Sequence, residues 1–180
     1  MGILLGFLPY IVFTLLTSIS VSLALWIAFA AAFVIGIRDF LHDKRVRVLD
    51  GASLALFAAL AIYAGFIQPS MSVEGVRFVA DAAMGLIALA TIIFRNPYTL
   101  EYARDHVSES VSGKQRFVHL NYMLTLIWCL SFVLMGAADG LTAFTKVFPM
   151  SIDVAIVLAT LALAIIVTVR LPFSGRWISR

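Results

Sequence analysis

Hydrophobic positions run along this chain in long unbroken blocks, without the alternation of a half-buried strand or the one-sided stripe of a soluble surface helix. No charge occurs between Ile3 and Ile37. As one helix these residues would reach roughly 50 Å at 1.5 Å per residue, well beyond a bilayer core of about 30 Å. The block therefore predicts a tight helical hairpin, 4–16 and 21–37, turning near Thr17-Ser18-Ile19-Ser20, with Pro9 kinking the first arm. One long bent helix is the alternative. Further apolar blocks lie at 52–67, 76–94, 118–138 and 152–169, each near the ~20 residues a spanning helix needs. Pro69, Pro97 and Pro149 stand where proline bounds a helix without breaking it. The pattern predicts an all-α polytopic transmembrane helical bundle of about six spans, or five on the bent-helix alternative. No repeat or low-complexity linker divides the chain, so residues 1–180 are read as a single transmembrane domain.

Composition agrees with lipid as the solvent. The chain is 62% hydrophobic and 13% charged, with a mean hydropathy of +1.03, where soluble domains are roughly 45–50% apolar and about 25% charged. The distribution of charge adds orientation. Of the 13 cations, all but Arg77 and Lys146 fall in three segments. Arg38, Lys44, Arg45 and Arg47 follow the second apolar block; Arg95, Arg104, Lys114 and Arg116 follow the fourth; and Arg170, Arg176 and Arg180 close the chain. Cytoplasmic segments collect Lys and Arg, so with six spans both the N-terminus and the C-terminus are expected in the cytoplasm. No basic residue precedes Arg38, so the chain lacks the charged start of a cleaved signal peptide and Met1 is expected to be retained. Cys129 is the single cysteine, which leaves no disulfide framework and no Cys/His metal cluster. No long basic face with interleaved aromatics points to nucleic acid.

Few residues are candidates for chemistry. Glu74, Arg77 and Asp81 share one helix face at i, i+3 and i+7, and a carboxylate inside a bilayer usually marks a proton or ion path. The plainer reading has Asp81 near the interface, paired with a snorkelling Arg77. Asn121, Thr125 and Cys129 form a mildly polar stripe, read either as interhelical hydrogen bonding or as the lining of a groove. His119 as a haem ligand would need a second axial histidine on a facing helix, and His42 and His106 lie in loops. Gly2 with Gly6 and Gly136 with Gly140 have the spacing of close helix contacts, within the chain or across a homodimer. Trp26, Trp128 and Trp177 read as interfacial or packing aromatics. The loop after the fourth block, with Arg95, Tyr98, Tyr102 and Arg104 and then Lys114 and Arg116, reads as a short interfacial helix on anionic headgroups, or as a docking segment for a partner. The catalytic motifs of hydrolases, metalloproteases, nucleotide-binding proteins and dinucleotide enzymes are all missing. The reading is non-enzymatic, with no cofactor and no metal.

Several short features, taken in order, resemble the bacterial intracellular septation protein A family. They are Phe7-Leu8-Pro9, the uncharged double span ending in a basic loop, Phe94-Arg95-Asn96-Pro97, Leu120-Asn121, Gly136-Ala137, Ala143-Phe144, and the last span ending before Leu171-Pro172. The resemblance implies a multi-pass protein of the bacterial inner membrane, connected with cell division or envelope maintenance through other membrane proteins. The competing expectation is a small transporter or channel that uses Asp81, with Asn121 and Thr125 as lining.

Overall fold

The computed structural model describes residues 2–173 apart from residues 69, 106, 146 and 148. Met1, Pro69, His106, Lys146, Arg176, Trp177 and Arg180, used in the sequence reading, lie outside the described residues. Every regular element described is helical: α1 (Gly2–Gly6), α2 (Leu8–Leu16), α3 (Val21–Asp43), α4 (Val48–Ile62, continued by a π-helical turn Tyr63–Ile67), α5 (Val73–Ile93), α6 (Tyr98–Arg104), α7 (Glu109–Ser112), α8 (Gln115–Thr145) and α9 (Met150–Phe173). Five stretches are long and apolar enough to cross a membrane: Val21–His42, Val48–Ile67, Val73–Ile93, Gln115–Thr145 and Met150–Leu171. The protein is a multi-pass integral membrane protein built as a helical bundle.

Local chemistry sets the breaks. The uncharged N-terminal block is two arms and not one helix, with α2 ending at Leu16 and α3 starting at Val21. Ser20 stands at the start of α3 with an extended backbone, and its hydroxyl accepts the Leu23 N–H at 3.4 Å. Ser72 caps α5 in the same way, through the Gly75 N–H at 3.0 Å. The first arm is itself interrupted at Phe7, and Pro9 follows in the first turn of α2, where a missing N–H costs nothing. At the other side of the bundle Lys44 and Arg95 terminate α3 and α5 in the left-handed conformation, with φ of 55° and 58°. Several expected boundaries move: the second span extends from 37 to Asp43, the third starts at Val48 and not at 52, and the last runs Met150–Phe173. The helix expected over 118–138 runs from Gln115 to Thr145, and that expected from 76 starts at Val73.

The helices run up and down, so the bundle has two ends. One carries the α3–α4 turn, α6, α7 and the last turn of α9, and every described Lys and Arg except Arg77 belongs to it. The other carries the α2–α3, α4–α5 and α8–α9 turns. The long helix α8 is the axis of the core. Trp128, Phe132 and Met135 are buried among Phe7, Tyr10 and Phe13 of the first arm, Val76, Ala80, Met84 and Ala88 of α5, and Val157, Leu161 and Ala164 of α9. Leu86, Leu130, Val133, Leu163 and Ile166 point outward, as lipid-facing positions do.

Glycine permits the closest approaches. A Cβ on Gly136 would lie 3.3 Å from Asp81 Cβ, and one on Gly140 would lie 3.0 Å from the Phe78 ring. The Gly136/Gly140 pair is therefore the contact face of α8 on α5 inside one chain, which removes it as a homodimer surface. Gly6 is tighter still, since a Cβ there would stand 2.5 Å from the Tyr102 hydroxyl and 3.2 Å from Leu49. Nothing lies within 4 Å of the corresponding position on Gly36. Gly6→Ala is expected to destabilise the bundle by about 1–3 kcal/mol through overpacking. Gly36→Ala should be neutral, or stabilising by up to about 1 kcal/mol through helix propensity. Thermal unfolding of both variants in detergent micelles checks the contrast, and equal midpoints would contradict it.

Candidate functional site

A cluster of ionisable side chains is buried where α5, α8 and α9 meet, one to two turns from the end opposite the basic loops. Arg77 enters from α5 and is 3% exposed. Its Nε donates to Asp139 Oδ1 at 2.8 Å, its Nη2 lies 2.6 Å from the same oxygen, and Nη2 also donates to Asp153 Oδ2. Asp139 comes from α8 and Asp153 from the first turn of α9, and both are fully buried. Asp81, one turn beyond Arg77 on α5, accepts the hydroxyl of Tyr10 from α2. Met135 Sδ lies 3.8 Å from that hydroxyl. Asp81 packs against Gly136, which precedes Asp139 by one turn on α8, so the two carboxyls are neighbours across the α5–α8 contact. Each of the three aspartates leaves one buried oxygen without a hydrogen-bond partner: Oδ2 of Asp81, Oδ2 of Asp139 and Oδ1 of Asp153.

The charge count of this cluster governs its chemistry. Three carboxyls face one guanidinium, and removing an unpaired ion from water costs several kcal/mol even after relaxation. Where two carboxyls neighbour each other away from water, a shared proton would turn their repulsion into a hydrogen bond. The unpartnered oxygens of Asp81 and Asp139 are the atoms that would hold it. Among the described residues, no group of three or more His, Cys, Asp or Glu side chains is arranged to hold a metal ion.

Asp81 and Arg77, expected to pair with each other, do not do so directly. Arg77 reaches across to α8 and α9, while Asp81 is tied to Tyr10. Glu74 on the same face takes no part among the described contacts and is only half-buried. Asn121 and Thr125, expected as possible lining of the same site, are elsewhere. Thr99 Oγ1 donates to the Asn121 carbonyl at 2.7 Å and meets Thr125 Oγ1 at 2.8 Å, so the stripe fastens α6 to α8. Thr125 is 11 residues from Gly136, the neighbour of Asp81, or about 16 Å along α8.

The loop after α5 also departs from expectation. Tyr98 and Tyr102, read as headgroup or partner contacts, are buried, 1% and 2% exposed. Tyr98 packs edge-on against Phe7 at 5.6 Å. Tyr102 donates to Asp50 Oδ1 at 2.6 Å and lies beneath the Arg47 guanidinium at 4.8 Å. Burial pushes the Tyr102 hydroxyl far above the usual tyrosine range, and the Asp50 carboxyl beside it adds to the effect, so it remains a donor. Arg47 also pairs with Asp39 and, at 2.8 Å, with Asp105, and Glu101 accepts the Val48 N–H at 3.0 Å. Thus the tyrosine face of α6 is clamped into the basic end of the bundle, and Tyr98 and Tyr102 are not surface contacts. Arg95, Arg104, Lys114 and Arg116 do remain exposed there. His119 is exposed, Trp128 is fully buried, and Trp26 is 43% exposed.

Sequence reasoning missed Tyr10, Asp139 and Asp153 on one side and Asp39, Arg47, Asp50, Glu101 and Asp105 on the other. A usable signal existed for the first set. Arg77 is one of only two cations, with Lys146, outside the three basic segments, and a buried guanidinium needs carboxylates, of which that end of the sequence offers Glu74, Asp81, Asp139 and Asp153. Compared with family models, with curated proteins and with solved structures, the chain matches none.

Removing the guanidinium alone should be severe. Arg77→Met leaves buried carboxyls uncompensated and is expected to cost about 3–5 kcal/mol, whereas Arg77→Met/Asp139→Leu/Asp153→Leu should recover most of that loss. Unfolding in mixed micelles with increasing denaturing detergent measures both. A triple variant no more stable than the single one would show that the carboxyls are not the source of the loss.

Proposed function

We propose that this integral membrane protein is a small proton-coupled carrier or channel in which the Asp81–Asp139 carboxyl pair takes up and releases a proton. The observation that carries the reading is the buried imbalance of three carboxyls against one guanidinium, with an unpartnered oxygen on each carboxyl. Arg77 fixes Asp139 and Asp153 and keeps the local field from becoming strongly negative. Asp81 is the variable member. When ionised it is held by the Tyr10 hydroxyl; when protonated it can donate to Asp139 and free Tyr10. Protonation at this point therefore changes what anchors α2. A metal ion is less well served, since Arg77 already occupies the cationic position among these oxygens.

A second reading follows the septation-type resemblance, which implies a protein of the bacterial inner membrane with membrane-protein partners in division or envelope maintenance. What supports it is that three of the features behind the resemblance meet in one place: Phe7 stacks on Trp128 and packs edge-on against Tyr98, Asn96 donates to Glu101 at 3.1 Å, and the Asn121 carbonyl receives Thr99. This is the basic end, with Arg95, Arg104, Lys114 and Arg116 exposed around it. On this reading the positive-inside rule puts that end, and both termini, in the cytoplasm.

Proteoliposomes loaded with a pH dye and clamped with a potassium diffusion potential distinguish the two. The first reading expects potential-driven proton entry that Asp81→Asn lowers by more than about tenfold, a loss typical of removing a proton-transferring group, while unfolding behaviour is retained. Undiminished proton entry in Asp81→Asn, or flux that follows sodium and ignores pH, sinks it. The septation-type reading expects cells lacking the protein to show division or osmotic defects that the Arg104→Glu/Lys114→Glu/Arg116→Glu variant fails to rescue.

A further inference from the structure

The basic end holds a second group of side chains with the same make-up as the Asp81 site. At one end Arg77 ties Asp139 and Asp153 from two other helices; at the other, Arg47 ties Asp39 from α3 and Asp105 from the segment after α6. Each arginine is followed within about one turn of the same helix by a third aspartate, Asp81 at i+4 and Asp50 at i+3. Each third aspartate accepts a tyrosine hydroxyl from a different helix, Tyr10 on α2 or Tyr102 on α6. Each then keeps its Oδ2 buried with no hydrogen bond. Asp50 is 4% exposed, and its Oδ2 faces Arg47 Nη1 only at 3.9 Å, beyond hydrogen-bonding distance. Ser53, one turn further on the same face of α4, is also buried with an unpartnered hydroxyl oxygen.

We propose that Asp50 is a second proton-binding carboxyl, the basic-end counterpart of Asp81. The charged and titratable groups around it are Asp39 from α3, Arg47 on its own helix, Glu101 and Tyr102 from α6, and Asp105 beyond α6. Arg38 reaches Asp39 from the exposed side at 3.9 Å. Arg47 is thus shared among several carboxyls and leaves Asp50 under-compensated, while Tyr102 supplies a donor to its ionised form. One free carboxyl oxygen and one serine hydroxyl suit a proton; they fall short of the six or more oxygens a hard cation such as calcium collects.

The two sites are joined through the N-terminal arm. Gly6 lies against the hydroxyl of Tyr102, which holds Asp50, and four residues later Tyr10 holds Asp81. Phe7, between them in the chain, stacks on Trp128 at 3.8 Å, and Phe132 meets the Tyr10 ring edge-on at 5.1 Å. Phe7, Trp128 and Phe132 carry no hydroxyl or carboxyl, and the buried hydroxyl of Tyr98 beside Phe7 has no hydrogen-bond partner to relay a proton to. Passage from one carboxyl to the other consequently requires the arm to move, and each protonation releases one of the two tyrosines beside it. Insofar as Asp50 and Asp81 are the entry and exit of one path, the proposal rests on the proton-coupled reading above.

Infrared spectroscopy of the full chain in liposomes, titrated between about pH 4 and 9 to cover shifted carboxyls, tests the second site without relying on flux. The expected spectrum has a titrating protonated-carboxyl band that Asp50→Asn removes and a separate one that Asp81→Asn removes. Tyr102→Phe, which loses only a hydroxyl, should keep the Asp50 band and move its midpoint to higher pH, because a donor to the ionised form is gone. A protonated-carboxyl spectrum unchanged in Asp50→Asn overturns the proposal; should that variant fail to fold, an unmoved midpoint in Tyr102→Phe overturns it instead. Proton entry separates the two failures. If Asp81→Asn abolishes entry and no band belongs to Asp50, the carrier reading stands and the second site falls. If the Asp50 band titrates while neither variant alters entry, the second site stands and the carrier reading falls.

Discussion

Everything in this bundle is arranged around the cost of holding charge away from water. Arg77, Asp139 and Asp153 come from three helices, and none of them could be buried alone without an expense of several kcal/mol. Together they fix the relative height of α5, α8 and α9, because a slip of one turn would separate the guanidinium from its carboxyls by more than 5 Å. The apolar packing supplies no such register. Leu, Val and Ala side chains against lipid-like neighbours gain little from one height over another, since helix association in bilayers draws no hydrophobic driving force. Small residues set the distance instead: Gly136 and Gly140 let α8 approach α5 closely enough for Arg77 to reach across.

The same rule explains why the short N-terminal arm is inside. It has no charge and, as two pieces interrupted at Phe7, is too short to be among the long apolar helices. Its anchors are directional. Tyr10 answers Asp81, Phe7 fills the aromatic layer with Trp128 and Tyr98, and Gly6 gives Tyr102 room to reach Asp50. An arm held by one hydroxyl–carboxyl hydrogen bond and one stacked ring, and packed through Gly6 against the hydroxyl that holds Asp50, depends on the protonation of those carboxyls in a way that an arm held by aliphatic packing would not.

The helical architecture was legible because lipid imposes a coarse and redundant code: long apolar blocks, prolines at their edges, cations on one side. A break in the N-terminal block followed from length, as 35 residues do not fit the bilayer as one straight helix, and the run Thr17-Ser18-Ile19-Ser20 gave its place. Asp81 and Arg77 were visible as ionisable residues on an apolar face. Their partners were not, for two different reasons. Asp139 was assigned to a loop because the apolar run stops at Ala138, although α8 continues to Thr145. Asp153 and Tyr10 depend on which helices are neighbours, which no single block encodes. Tyr98 and Tyr102 misled because an aromatic, charged segment between two spans has the composition of an interfacial helix. Phe7, packed edge-on against Tyr98, and Arg47, paired with Asp105, draw it inward through contacts that span 91 and 58 residues of the chain respectively.

Ion pairing by itself does not account for what is buried. One aspartate would neutralise Arg77, and a second can be argued as the other arm of a bidentate hold, yet Asp81 adds a third carboxyl with an orphaned oxygen. Apolar residues of similar volume would serve folding as well or better, since replacing buried ionic groups by well-packed apolar ones is commonly neutral or stabilising by about 1–4 kcal/mol. The same excess recurs around Arg47, where Asp50 is the carboxyl left with an unpartnered oxygen. A surplus carboxyl held by a tyrosine is stable in either protonation state: ionised, it accepts the phenol; protonated, it needs no counter-charge at all. Structural glue requires one state only. Two such carboxyls at the two ends of one bundle, one bonded to Tyr10 and the other held by the tyrosine that packs against Gly6, form the arrangement from which the proton-binding proposal is argued.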